Sequence, residues 1–206
     1  MSVGNQAGAG RKWRAIGVAL LMGLLAQAAQ AHTETMVGGG FVRGFLHPFN
    51  GGDHLLAMVA VGIWGAVLGA PLLWVLPVTF PMLMVFGAVA ALAGLTLPAI
   101  EPGIALSVLV LGGAIAAFWR APVPAAIAVV AFFGFLHGFA HGRELPVAAS
   151  PAAYATGFVL ASGLLHGAGI LIGTVRAIPR GDLVLRVIGA GIAITGAWML
   201  ATRFTP

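Results

Sequence analysis

The chain has 206 residues, of which 60% are hydrophobic and only 7% are charged, and its mean hydropathy is +1.05. So few charges exclude a soluble globular protein as the main body of the chain, which must be solvated chiefly by lipid. The net charge of +5 comes from basic residues that punctuate apolar runs, so it indicates membrane orientation and no nucleic-acid-binding surface. The absence of cysteine excludes disulfides and thiolate metal sites.

The N-terminal segment predicts a cleavable secretory signal peptide over residues 1–31. Arg11, Lys12 and Arg14 form a basic start, an apolar core follows, and Ala29-Gln30-Ala31 matches the small-residue pattern of a cleavage site. The alternative is that this segment stays as an additional membrane helix. Cleavage would leave a mature domain of residues 32–206, which begins at His32 on the outer side of the membrane.

Six further apolar runs predict an all-α polytopic membrane protein with six transmembrane helices. The runs cover approximately 49–68, 73–97, 103–119, 123–141, 152–175 and 183–201. Most reach the roughly 20 residues that an α-helix needs to cross the hydrocarbon layer, and a helix satisfies its backbone hydrogen bonds internally. Pro77 and Pro81 predict that the second helix is kinked or unwound near its start.

The first of these helices carries ionisable residues at membrane depth, in the segment HPFNGGDH (47–54). Pro48 is expected to open the helix, and the two glycines to let the backbone bend or approach a ligand. His47 and His54 are seven residues apart, which places them on one face if the helix is regular between them.

Asp53 and Met58 complete the candidate ligands of this segment. Met58 lies one turn beyond His54 and is a secondary candidate, because methionine is more often packing material. The alternative interpretation of the segment is a helix cap with a structural Asp–His pair. Ionisable groups in a membrane are costly and usually mark function, which favours a site.

Further histidines follow in the fourth and fifth helices. His137 and His141 are spaced i and i+4, so both imidazoles leave one helix face and could chelate one ion. The glutamate that a zinc-protease helix carries between its histidines is missing, which argues against hydrolysis. Glu144, which we interpret first as the partner of Arg143, is a secondary candidate. His166 lies about 15 residues into its helix, where it is either a hydrogen-bonded core histidine or a relay along a path.

These imidazoles and one carboxylate favour a borderline divalent ion, either nickel, cobalt, copper or zinc, over calcium or magnesium. The resulting metal-ligand prediction is His47, Asp53, His54, His137, His141 and His166, with His32, Met58 and Glu144 as secondary candidates. Glu101 and Asp182 are expected to have ordinary solvent-facing roles.

Three segments resemble the signature segments of the HupE/UreJ family, a group of small bacterial membrane proteins associated with hydrogenase and urease maturation and regarded as nickel permeases. The segments are GFLHPFNGGDHLLAMVAVGIWGA, GFLHGFAHGRELP and ATGFVLASGLLHGAGI. The resemblance implies a multi-pass protein of the bacterial inner membrane, with a periplasmic mature N-terminus and His47, Asp53 and His54 as its metal-recognition element. His137, His141, Glu144 and His166 match the family's remaining polar positions.

The function expected on these grounds is uptake of a divalent transition-metal ion, Ni²⁺ with Co²⁺ as the alternative, through a path lined by His and Asp. No permanently bound cofactor, catalytic residue or enzymatic activity is predicted, and no phosphate-binding loop for ATP appears. The expected partners are the metal ion, the lipid bilayer and downstream nickel-enzyme maturation proteins, and a homo-oligomer is left open. Two alternatives are a metal-binding accessory subunit that transports nothing and a haem b electron carrier.

Overall fold

The computed structural model describes residues 40–144 and 150–203, and every regular element in these two ranges is helical. The predicted signal peptide, its cleavage site and His32 lie outside the described residues, so these remain predictions. The α-helices are α1 Gly40–Asn50, α2 Gly52–Leu68, α3 Leu72–Leu92, α4 Ile100–Ala116, α5 Val123–Glu144, α6 Pro151–Gly173 and α7 Gly181–Thr202, with a 3₁₀ turn at Thr174–Ala177.

The lengths of these helices support a membrane protein. Four spans are long and apolar enough to cross a bilayer, and the bent pair α1–α2 makes a fifth if it is counted as one. Helix α4 is apolar but has 17 residues, which corresponds to about 25 Å of helix against a hydrocarbon layer of about 30 Å. All six predicted runs are therefore helical, while the number of six complete spans stays a prediction.

Helix α2 is the centre of the bundle. It contacts α3, α4 and α6, and its side chains from Ala57 to Val67 are almost all completely buried. An apolar membrane helix can face either lipid or other helices, and α2 is enclosed by other helices along most of its length.

The pair α3–α5 packs through a stripe of glycines on α5. Gly134, Gly138 and Gly142 face the backbone of Phe80, Met84 and Ala88, so the two helices run parallel at close approach. The spacing of four residues keeps the glycines on one face, as small residues do in membrane helix pairs.

Two further helix pairs also approach closely through small residues. Helices α2 and α6 run parallel with Gly62 and Gly169 in contact, whereas α4 and α7 run antiparallel with Gly112 beside Gly189 and Ala193. Together with the parallel pair α3–α5, these directions place the first turns of α2, α4 and α6 at the same end of the bundle as the last turns of α3, α5 and α7.

The chain breaks at Gly51, which corrects two expectations about the first run. Helix α1 begins at Gly40 and α2 at Gly52, and the two are bent by 79°. Pro48 therefore lies in the last turn of α1 and opens no helix, and no regular helix connects His47 with His54. The cause is local, because the extended backbone of Gly51 (φ −101°, ψ 110°) cannot continue an α-helix.

The prolines of α3 do not unwind the helix, and the alternative expectation, a kink near its start, remains a prediction. The helix is continuous from Leu72 to Leu92 and contains both Pro77 and Pro81, so the predicted unwinding is wrong. Each proline removes one backbone donor, but two prolines four residues apart affect the same side of the helix. The neighbouring turns therefore stay helical.

The opposite end of the bundle is closed by aromatic and arginine side chains. The Trp64 ring stacks on Trp119 at 5.6 Å between centroids, and its indole N–H donates to the Trp119 carbonyl oxygen at 3.1 Å. Arg176 donates to the carbonyl oxygens of Ala66 and Val67 at 2.9 Å each. Cationic side chains are favourable at helix C-termini, where carbonyl groups lack helical partners.

Candidate metal centre

Four histidines from three helices meet where α2 and α6 begin and α5 ends. His47 lies in the last turn of α1, His54 in the first turn of α2, and His137 and His141 in the last two turns of α5. The ring centroid of His54 lies 4.5 Å from that of His137 and 4.3 Å from that of His141. The ring centroids of His47 and His141 are 4.6 Å apart. We call these four residues the histidine cluster.

The bend at Gly51 helps to bring the cluster together. Gly44 contacts Tyr154 of α6, and Gly62 contacts His166 of the same helix. The two glycines are 18 residues apart, whereas their contacts on α6 are only 12 residues apart. The longer path makes room for the corner between α1 and α2. His47 and His54 lie on either side of this corner, with ring centroids 6.1 Å apart.

Asp53 fixes the orientation of His54. Its Oδ1 atom accepts a hydrogen bond from the His54 backbone N–H at 2.8 Å and lies 3.0 Å from the His54 Nδ1 atom. An ionised carboxylate can only accept, so Nδ1 carries the proton and Nε2 presents its lone pair. This is the arrangement in which a carboxylate orients a metal-binding imidazole.

Ser107 of α4 performs the corresponding role for His137, and the sequence analysis did not identify it. The Ser107 hydroxyl donates its single proton to the Ile104 carbonyl oxygen at 2.6 Å, so it accepts from His137 Nε2 at 2.8 Å. His137 therefore presents the lone pair of Nδ1. A lone hydroxyl within an apolar helix was the available signal, but the sequence does not show which neighbour it meets.

Four other ring nitrogens of the cluster are buried and have no hydrogen-bond partner among the described residues. They are His54 Nε2, His137 Nδ1 and both ring nitrogens of His141. Leaving a buried polar atom unpaired costs about 1–3 kcal/mol, so several together are unusual in a stable core. They belong to imidazole rings that contact one another, beside the carboxylate of Asp53.

His166 lies apart from the cluster. It is buried in α6, and the Phe80 ring separates it from His137, with centroid distances of 5.7 Å to His166 and 5.3 Å to His137. Within residues 40–144 and 150–203, no three His, Asp or Glu side chains form a group that could hold a metal ion in their present positions. The six predicted ligands thus fall into a cluster with Asp53 and one separate histidine.

The secondary candidates have different surroundings. Met58 is completely buried in the apolar core. Glu144 is the last residue of α5, and its side chain lies outside the described part, as His32 does. Glu101 is exposed, as expected for a solvent-facing residue, and its carboxylate also pairs with Arg203 at 2.6 Å.

We expect Ser107→Ala to weaken nickel binding by about tenfold to 100-fold, since residues that orient a metal-binding imidazole typically contribute that much. Without the hydroxyl, His137 can adopt the tautomer that protonates Nδ1. Isothermal titration of the purified protein with Ni²⁺ measures the effect, and Ser162→Ala serves as the control, because the buried Ser162 hydroxyl donates to Phe158 within its own helix. Equal affinities of the two variants would contradict the role of Ser107.

These helices and this cluster define an all-helical membrane protein with a buried group of imidazoles at one end. The family model described as HupE / UreJ protein matches residues 19–199. The chain is also 40% identical over 161 residues to "Protein HupE" of Rhizobium leguminosarum bv. viciae. The aligned region covers 78% of this chain and 84% of that protein. No solved structure matches the chain. The chain belongs to the HupE/UreJ family, which confirms the resemblance and supports a role related to nickel or cobalt transport in association with hydrogenase or urease.

Proposed function

We propose that this protein is an inner-membrane permease that takes up a divalent transition-metal ion, Ni²⁺ with Co²⁺ as the alternative, from the periplasm into the cytoplasm. The observation that supports the proposal most directly is the group of unpaired, buried imidazole nitrogens beside Asp53. Borderline divalent ions prefer imidazole with some carboxylate, and family membership favours nickel or cobalt among them.

In this proposal the ion loses water at the histidine cluster. Two imidazoles that bind one ion at metal–nitrogen distances of about 2.1 Å have ring centres about 4.6 Å apart when the bonds meet at a right angle. The separations of 4.3, 4.5 and 4.6 Å in the cluster are close to that value. In this proposal the His141 ring, which has no hydrogen bond among the described residues, turns toward the nitrogens that Asp53 and Ser107 leave unpaired on His54 and His137.

The proposed path continues past Phe80 to His166 and then to the cytoplasmic end. Several arginines lie at that end, including Arg120, Arg176 and Arg180, and an excess of arginine on the cytoplasmic side sets the orientation that uptake requires. Two positive charges that cross an interior-negative membrane gain about 4.6 kcal/mol per 100 mV. The membrane potential can therefore drive uptake without hydrolysis of a nucleotide.

The proposal also assigns roles to the secondary ligand candidates and to the proteins that receive the ion. Met58 follows His54 by one turn and would offer a thioether to an ion that moves inward, while His32 and Glu144 would act at the periplasmic entrance. The imported ion would pass to nickel-enzyme maturation proteins in the cytoplasm.

The contact distances disfavour the haem alternative. A haem iron binds axial histidines on its opposite faces, so the porphyrin plane must fit between the two rings. The rings of the cluster are in contact, with centroids 4.3–4.6 Å apart, and leave no space for that plane.

Uptake of radioactive nickel into proteoliposomes with an interior-negative potential tests the proposal. We expect wild-type protein to accumulate nickel and Asp53→Asn to reduce the rate by at least about tenfold, because the substitution removes the negative charge at the cluster and leaves only a neutral amide oxygen to accept from His54. Asp182→Asn is the matched control, since Asp182 lies in the first turn of α7 at the opposite end.

Tight nickel binding by the wild-type protein without flux would contradict the permease and favour the accessory subunit. The same assay with cobalt, zinc and copper determines the selectivity, because intrinsic affinity alone places copper above nickel at imidazole sites. A permease for nickel or cobalt is expected to transport these two ions faster than zinc.

A further inference from the structure

Arg203, at the end of α7, connects the histidine cluster to a second carboxylate. Its Nη1 atom lies 2.6 Å from Glu101 Oε2, and its Nη2 atom lies 3.7 Å from Asp53 Oδ2. The Arg203 side chain is 39% exposed and that of Asp53 is 18% exposed, so the guanidinium lies between the solvent and the cluster. It is the only arginine or lysine side chain paired with Asp53 among the described residues.

The two oxygens of Asp53 have different partners. Oδ1 is occupied by the backbone and ring of His54, whereas Oδ2 faces Arg203. A metal ion that used Asp53 directly would therefore approach Oδ2. The guanidinium and a divalent cation need the same oxygen and repel each other, so both cannot bind it at full strength.

We propose that Arg203 is a positioning residue that acts as a tethered cation and competes with the incoming ion for Asp53. The inference rests on the proposed function. In the absence of the ion, Arg203 neutralises Asp53; when the ion arrives, Arg203 withdraws to Glu101, which it already contacts more closely. The competition lowers the affinity of the cluster, so that the ion can leave it for the next site along the path.

Charge explains why this arrangement suits transport. Asp53 and Glu101 with Arg203 carry a net charge of about −1, and without Arg203 they carry about −2. A divalent ion would be held more tightly by the second arrangement. Tight binding slows release, and a carrier depends on release as much as on capture.

Nickel binding to the full-length protein in detergent tests the inference without any need for flux. We expect Arg203→Gln to lower the Kd for Ni²⁺ by about threefold to tenfold, which is the range of a partly exposed ion pair together with the lost repulsion. Arg203→Lys keeps the charge and should remain near the wild-type Kd. Arg43→Gln is the matched control, because the exposed Arg43 loses the same charge at the same end and forms no ion pair within the described residues.

An unchanged or higher Kd for folded Arg203→Gln would overturn the inference, and so would the same decrease in Arg43→Gln. If the glutamine variant unfolds in a thermal scan, Arg203→Met, a neutral chain of similar length, replaces it with the same expectation. Uptake kinetics add a readout that a merely structural role would not give: a lower KM together with a lower maximal rate.

The two proposals fail in distinguishable ways. Wild-type protein that neither binds nor transports nickel would refute the proposed function and the role of Arg203 with it. Wild-type protein that binds nickel normally, combined with an unchanged Kd in Arg203→Gln, would refute the role of Arg203 alone.

Discussion

His141→Leu is expected to weaken nickel binding by about 100-fold or more and, at the same time, to raise the thermal stability of the protein. His141 is 7% exposed, its ring contacts His47 and His54, and neither of its ring nitrogens has a hydrogen-bond partner among the described residues. Removal of a direct ligand should cost at least as much affinity as removal of an orienting group, which is about tenfold to 100-fold.

The gain in stability has a separate cause. Burial of an unpaired polar group costs about 1–3 kcal/mol. Because leucine has no polar atoms, the substitution removes this cost. Nickel titration and thermal unfolding in detergent measure the two effects. His137→Leu is the matched comparison, because it also removes a ligand but breaks the hydrogen bond to Ser107 and should therefore gain less stability. A His141→Leu protein with wild-type affinity would contradict the metal site.

Gly138→Ala is expected to destabilise the protein by about 3 kcal/mol or more and to remove most of the folded protein from the membrane. A Cβ atom at Gly138 would overlap the carbonyl oxygen, the Cα atom and the carbonyl carbon of Met84. Because these are backbone atoms, no side chain can rotate away, and α3 and α5 must separate. His137 is the adjacent residue, so the same separation would displace the cluster.

Gly113→Ala provides the control for this prediction. Gly113 also lies within an apolar helix, but a Cβ atom there meets nothing within 4 Å, so we expect wild-type expression and stability. Fluorescence-detected size-exclusion chromatography of the two variants measures the difference. Equal yields of folded protein would show that α3 and α5 do not pack at the distance described.

Much of the helical arrangement could be predicted because hydrophobic runs and turn residues act locally. The run 123–141 corresponds to α5 and the run 152–175 to α6 with its 3₁₀ extension. The position of the polar residues in these runs also indicated that histidines from different helices lie at one end. Loop polarity and helix length are sufficient for that conclusion, since consecutive spans alternate in direction.

The features that were missed depend on contacts between distant residues. The backbone angles of Gly51 decide whether 49–68 is one helix or a corner, and glycine permits both. In the sequence, Ser107 is a single hydroxyl residue within an apolar run. Its role follows only from its short distance to His137 in the folded protein. Arg203 and Asp53 are separated by most of the sequence, and no local pattern links a residue at the end of α7 with the first turn of α2.

The closed packing below the cluster has a consequence for the kind of movement that transport would require. Val61, Trp64 and Val67 of the central helix have no exposed surface, and the Trp64 indole is held by the Trp119 carbonyl oxygen. On the proposed path, an ion at His166 would meet these completely buried side chains of α2 in this conformation and would need them to move before it could pass onward. Access from the two sides would therefore alternate, with throughput limited by a conformational step on the microsecond-to-millisecond scale and saturating at high metal concentration.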